Sequence, residues 1–244
     1  MSASDILTGK PGGILLICDH ASNAVPEGID LGVGPALLDK HIAIDIGAAP
    51  LTRALAARLE APAILATVSR LVIDLHRQPD HPSLIPAVSD GNAIPGNVGA
   101  DRLKRIACFH GPYHRAIAAL IRAQRPSLLV SIHSFTPRLE SGGAGERPWQ
   151  AGILSNRDRR AADLAVRLLS EAGVVTGDNE PYSGRVLNAT LNRHGEASGI
   201  PSLAIEIRND LIRDATGVAR WTNILTPILV EISNILASRR PSAT

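Results

Sequence analysis

The sequence predicts an α/β protein, a three-layer α/β/α sandwich built on a mixed, mainly parallel central sheet. Three observations carry this expectation. Short, continuous apolar runs such as GGILLIC (12–18) and SLAIEIR (202–208) have the composition of strands buried on both faces. Longer stretches between them place apolar residues at helical spacing. The two kinds alternate along the chain, the order that lays helices on both sides of a largely parallel sheet.

The elements follow in turn. GGILLIC is the first strand and ends in DHASN. Residues 35–60 carry Ile44, Ala48, Leu51, Leu55 and Leu59 on one helical face, while Gly47 and Pro50 predict a kink or break midway. Residues 63–68 and 70–75 read as strand-like segments. The Pro-, Gly-, Ser- and Asn-dense stretch 81–99 is a loop longer than a connection requires, the kind that covers sites. A second amphipathic helix spans 101–124, and Pro126 stops it before the buried strand SLLVSIH, which also ends in a polar cluster, HSFTP. QAGIL is a strand, 158–172 a helix, and VVTGDNEPYSG a short strand running into a turn-rich loop. After SLAIEIR, the residues Leu225, Ile228, Leu229, Ile232 and Leu236 line one face of a last helix that begins near Thr216.

At 244 residues and 45% hydrophobic content the chain can build the core of one domain spanning 1–244, with roughly the first ten residues and those from Arg239 onward frayed. Aromatic residues are only 2% of the chain, so platforms for stacking bases are scarce. The 25 basic residues are balanced by 23 acidic ones without a run of one sign. Nucleic acid is therefore not an expected partner. Cys18 and Cys108 form no C-x-x-C pattern, and the N-terminal residues lack the basic-then-apolar design of a secretory signal, which together point to a reducing cytoplasm. No apolar run is long enough to span a bilayer, so no membrane association is expected.

In layered α/β sheets, ligands gather at the carboxyl ends of the strands. Four predicted strands end in chemistry-bearing groups: Asp19 and His20; Asp74, His76 and Arg77; His133; Glu206 and Arg208. Imidazoles and carboxylates converging without thiolates suit a catalytic zinc, held by three protein ligands with a fourth position for water. His20 and His133 are the strongest ligand candidates. Asn23 is the candidate third, through its side-chain carbonyl, and Asp45 is the alternative. Asp74 can fix the tautomer of a metal-bound imidazole, and Glu206 can serve as general base. Arg77 offers a bidentate fork to a substrate carboxylate, while Arg70 or Arg208 can neutralise a second carboxylate or an oxyanion. His41, His81 and His110 read as hydrogen-bonded structural residues, and so, by a smaller margin, does His114. Asp19, His20, Asp74 and His76 also supply enough ligands for a dinuclear centre.

Six blocks, DHASNAVP, VSRLVIDLHR, SIHSFTP, RPWQAGIL, GDNEPYSG and AIEIRNDLI, together resemble the N-formylglutamate amidohydrolase family, in the family's order from about Gly13 to Ile212. SIHSFTP and the Asp-x-x-Arg of DLHR also resemble segments of the zinc carboxypeptidases, which have a mixed sheet between helix layers. The resemblance implies one zinc ion, His20 as the first ligand and His133 as the last. It further implies Asp74 as the carboxylate supporting a zinc-bound imidazole, Arg77 as the carboxylate-binding arginine and Glu206 as general base, with Tyr182 of GDNEPYSG a candidate substrate contact. Two positions depart from the patterns: Asn23 stands where the carboxypeptidases place Glu, and His76 where formylglutamate-type sequences commonly have Asn. The implied activity is metal-dependent hydrolysis of an N-formyl or small N-acyl acidic amino acid, so the expected partner is a small molecule carrying carboxylates. A second metal ion, or a relative that binds carboxylates without turnover, is the competing expectation.

Overall fold

The computed structural model describes residues 2–142 and 145–239. In chain order it contains β1 (Ser4–Leu7), β2 (Ile14–Cys18), α1 (Pro35–Leu38), α2 (Ala48–Leu59), β3 (Ala63–Ala66), β4 (Val88–Ser89), β5 (Asn92–Ala93), α3 (Arg102–Arg105), α4 (Gly111–Gln124), β6 (Leu128–Phe135), β7 (Ala151–Leu154), α5 (Arg160–Glu171), β8 (Thr176–Asp178), α6 (Ala189–His194), β9 (Ser202–Arg208) and α7 (Ala215–Ser238). A π-helical turn, Ile106–His110, joins α3 to α4.

Seven strands form one mixed sheet in the order β1-β3-β2-β6-β9-β7-β8. The inner pairings β3/β2, β2/β6 and β6/β9 are parallel, as is β7/β8, whereas β1/β3 and β7/β9 are antiparallel. Successive side chains of a strand face opposite sides, and the core divides accordingly. Leu16, Val130 and Ile205 pack on one face with α2, α5 and α7. Leu15, Leu129 and Ala204 pack on the other with α4, Leu191 of α6 and the apolar segment 68–75. The predicted three layers are therefore present.

Three expectations need correction. The first ten residues do not simply fray, because Ser4–Leu7 pairs antiparallel with Ala63–Ala66 as an edge strand. The break expected within 35–60 falls at Gly47, whose φ is +81°, but the stretch before it is helical only over Pro35–Leu38 and runs through turns to residue 47. Any side chain there would also strike the Ile212 carbonyl, since a Cβ at Gly47 would lie 2.2 Å from that oxygen. Pro50 does no damage in the first turn of α2, where its missing N–H has no intrahelical partner to lose.

The third correction matters most for the site. Residues 70–75 are not a strand: they form a buried, irregular segment, with Leu71, Val72, Ile73 and Leu75 fully enclosed. Without a ladder its buried carbonyls need other donors. Asn97 Nδ2 donates to Leu71 O at 2.8 Å and Arg105 Nη1 to Val72 O at 2.7 Å. His114 Nε2 donates to Leu75 O at 3.1 Å and His110 Nε2 to Arg77 O at 3.0 Å. The apolar run reflects packing of this segment, not pleating.

Candidate metal centre and active site

The parallel strands β2, β6 and β9 end side by side, and their carboxyl ends carry Asp19 and His20, His133, and Glu206. In the β6/β9 register His133 lies directly opposite Glu206. The segment after β3 adds Arg70, Asp74, His76 and Arg77, and the turn before α2 adds Asp45. Of these, His20, Asp45, Arg70, His76, Arg77, His133 and Glu206 line a cavity of about 130 Å³, with Asp19 and Asp74 behind them. Tyr182 also lines it.

The hydrogen bonds define a donor set. His20 Nε2 donates to Asp74 Oδ1 at 2.8 Å, so in a neutral ring the Nδ1 lone pair faces Asp45 Oδ2, 3.2 Å away. His133 Nε2 lies 2.9 Å from Ser131 Oγ, and when it donates there its Nδ1 faces the same Asp45 oxygen at 2.8 Å. With both rings neutral, acceptor atoms from three segments converge on one point, an arrangement that calls for a positive charge between them; without an ion, a second proton on His133 supplies it. His20, Asp45 and His133 form one buried group able to hold a metal ion. The charges agree: Asp19, Asp45, Asp74 and Glu206 are buried, and among the described residues the permanent cations lining the cavity are Arg70 and Arg77. Burial alone would push the Asp45 carboxyl up, but His20, His133 and Arg70 hold it well below the usual carboxylate range. Burial likewise opposes charge on His133, yet Asp19 and Asp45 raise its pKa to about 10. The residues present therefore fit a divalent cation with imidazole and carboxylate ligands.

The third donor differs from the residue favoured on spacing. Asn23 donates instead to Asp39 Oδ1 at 3.1 Å and does not line the cavity, so Asp45 takes its place in the converging group. Arg70 lines the cavity, but its guanidinium is already matched: Nη1 donates to Asp45 Oδ1 at 3.0 Å and Nη2 to Asp74 Oδ2 at 2.9 Å. It holds two carboxylates in place and is not a free substrate anchor. Arg208 bonds Asp210 through Nε at 2.8 Å and stands outside the lining. Arg77 differs from both, because its Nε is buried with no hydrogen-bond partner among the described residues. Among the described residues its one carboxylate neighbour within 4 Å is Asp74, whose Oδ2 lies 3.9 Å from that nitrogen. Glu206 Oε2 is likewise buried and unpartnered among the described residues, and burial raises the Glu206 pKa. Tyr182 Oη accepts from Arg147 Nη1 at 3.0 Å, with the Arg147 guanidinium 5.0 Å above the ring.

His41, which lines the cavity mouth, bonds Asp90 Oδ2 at 2.9 Å. His76 bonds Asp19 Oδ2 through Nδ1 at 2.8 Å and Leu187 O through Nε2 at 3.1 Å. Asp19, His76 and His133 make a second buried group of metal-ligand type. His110 and His114 are hydrogen-bonded structural residues, as the sequence suggested; their partners, the carbonyls of the 70–77 segment, were not legible there.

Arg70 carries a stability prediction. Replacing it by Met leaves Asp45 and Asp74 without their shared cation, and is expected to cost about 3–5 kcal/mol. Urea unfolding of the variant and the wild type at equal zinc concentration measures it.

The fold and the site together define a layered α/β protein with a buried imidazole and carboxylate centre at the ends of its parallel strands. The chain matches the N-formylglutamate amidohydrolase family model over residues 12–213, and it belongs to that family. A solved structure, the gene product Atu2144 from Agrobacterium tumefaciens, is 30% identical with a TM-score of 0.90, the alignment covering 97% of each chain. The N-formylglutamate amidohydrolase from Ralstonia eutropha JMP134 is 19% identical with a TM-score of 0.76, covering 98% of this chain and 99% of the other. At that identity the likeness shows the fold. No curated protein matches the chain.

Proposed function

We propose that the protein is a zinc-dependent amidohydrolase that removes a formyl or other small acyl group from the nitrogen of an acidic amino acid, N-formylglutamate being the first candidate. The observation that carries this reading is the convergence of His20 Nδ1, His133 Nδ1 and Asp45 Oδ2 beside Glu206 Oε2 and Arg77 Nε, two buried atoms with no hydrogen-bond partner among the described residues. Family membership supports the reaction class.

His20, Asp45 and His133 would hold the ion, which when bound polarises the scissile carbonyl and lowers the pKa of a water toward about 7. Glu206 Oε2 accepts a proton from the attacking water and delivers it to the departing amide nitrogen as the C–N bond breaks, yielding formate and the free amino acid. Arg77 holds a substrate carboxylate through its guanidinium edge. Arg70 keeps Asp45 and Asp74 in register, and Asp74 fixes the His20 ring by accepting from Nε2. Cys18 and Cys108, both free, are compatible with a reducing cytoplasm. Among the described residues no helix is long and apolar enough to cross a membrane.

A dinuclear centre is the second reading, favoured by the Asp19, His76 and His133 group. Both groups include His133, so two ions would require one imidazole to offer both nitrogens as lone pairs, and a single ion is the better fit. Purified protein assayed on a panel of N-acyl amino acids, with and without chelator, tests the proposal. Turnover of N-formyl or N-acyl acidic substrates, lost on chelation and restored by one zinc per chain, is the expected result. Activity indifferent to chelator would refute zinc dependence, and two ions per chain would favour the dinuclear reading.

A further inference from the structure

Beneath the cavity lies a group of buried imidazoles that the proposed chemistry does not use. His110 ends the π-helical turn and His114 stands four residues on in α4, their rings 4.2 Å from centre to centre, and His194 ends α6. With the rings neutral, their hydrogen bonds leave one consistent set of protons. Leu75 O and Arg77 O can only accept, so His114 and His110 each carry the proton on Nε2. In a neutral His114 ring the Nδ1 must then accept, and it does so from His194 Nε2 at 2.9 Å. Burial pushes the His114 pKa down to about 3 and that of His194 to about 4, which favours the neutral rings this pattern requires. The same α6 region grips the segment from its other side: Leu187 O accepts from His76 Nε2, and Thr190 Oγ1 lies 3.2 Å from His76 Nδ1.

The two carbonyls held by α4 flank His76, and the second belongs to Arg77 itself. Being irregular, this backbone takes its direction from these donors and not from a sheet ladder. We propose that His110, His114 and His194 form a chain of neutral imidazoles that fixes the Leu75–Arg77 backbone, and so aims the Arg77 guanidinium into the cavity, making them positioning residues for carboxylate recognition. This rests on the reading of Arg77 as the carboxylate-binding group.

Glutarate serves as a probe that needs no turnover. Its binding to the zinc-loaded protein is measured by calorimetry beside that of glutaramide, its uncharged counterpart. His110→Leu is expected to weaken glutarate about tenfold and to leave glutaramide and zinc content unchanged, whereas His110→Gln, which keeps an N–H for the Arg77 carbonyl, stays within about twofold of wild type. Equal weakening of both probes, or no weakening of glutarate, would overturn the proposal, as would wild-type protein that binds no glutarate. The expected glutarate pattern in a protein that hydrolyses no N-acyl amino acid would uphold it while refuting the proposed activity. Nitrogen-15 spectra of the wild-type imidazoles give a test that needs no variant: His114 with a proton on Nδ1, or doubly protonated at pH 7, would overturn the chain as drawn.

Discussion

Glutamine in place of Glu206 is expected to lower kcat by about 10²–10⁴-fold, with zinc content and KM little changed. The substitution keeps the shape of the side chain and removes only its ability to take and return a proton. Glu206 sits on β9 opposite His133, so its carboxyl is delivered by the sheet and not by a mobile loop. Its Oε2 makes no hydrogen bond among the described residues, so the amide breaks no partner there and the fold should tolerate it. An inactive variant that still binds zinc and glutarate separates proton transfer from binding. Hydrolysis within about twofold of wild type would remove Glu206 from the role of base.

The second large effect concerns acid. His114 titrates at about 3 in the folded protein because burial disfavours its charged form, whereas an unfolded histidine titrates near about 6.5. Above the unfolded value both states are neutral and the stability is fully present. As pH falls below that value the unfolded chain takes up a proton that the folded chain refuses, so stability is lost progressively toward the folded pKa. At pH 5 the loss from this one group is about 2 kcal/mol. Glutamine at position 114 can donate to Leu75 O and accept from His194 but does not titrate. The wild type is therefore expected to lose about 2 kcal/mol more than His114→Gln between pH 8 and pH 5, measured by urea unfolding of the two proteins under matched metal conditions. Parallel pH profiles would show that His114 is not the neutral, buried ring described.

Much of the frame was readable in the chain itself. GGILLIC, SLLVSIH and SLAIEIR are apolar on consecutive positions, which only strands covered on both faces require. That pattern also places His20, His133 and Glu206 at one end of the sheet. The convergence of the two imidazoles was thus legible, and what they bind is a separate question. Asp45 was harder to see as the third donor, because its position depends on the Gly47 turn pressed against Ile212, a contact between residues far apart in sequence. A pattern based on local spacing pointed to Asn23, which bonds Asp39 instead. The apolar run 70–75 misled for a different reason: periodicity reports burial but says nothing about where the carbonyls find donors. Those donors, Asn97, Arg105, His110 and His114, lie tens of residues downstream.

The suspension of Leu71–Arg77 from side chains has an implication for how the pocket can change. One wall is fastened by the backbone ladder of the central strands and carries the imidazoles and the acid. The segment that carries Arg77 hangs instead from a few replaceable side-chain donors, Asn97, Arg105, His110 and His114. On the proposed roles of Arg77 and Glu206, substitutions among those donors would retune which ligand is admitted while the ladder keeps the reacting groups in register, so selectivity and chemistry would be mechanically separable in this architecture.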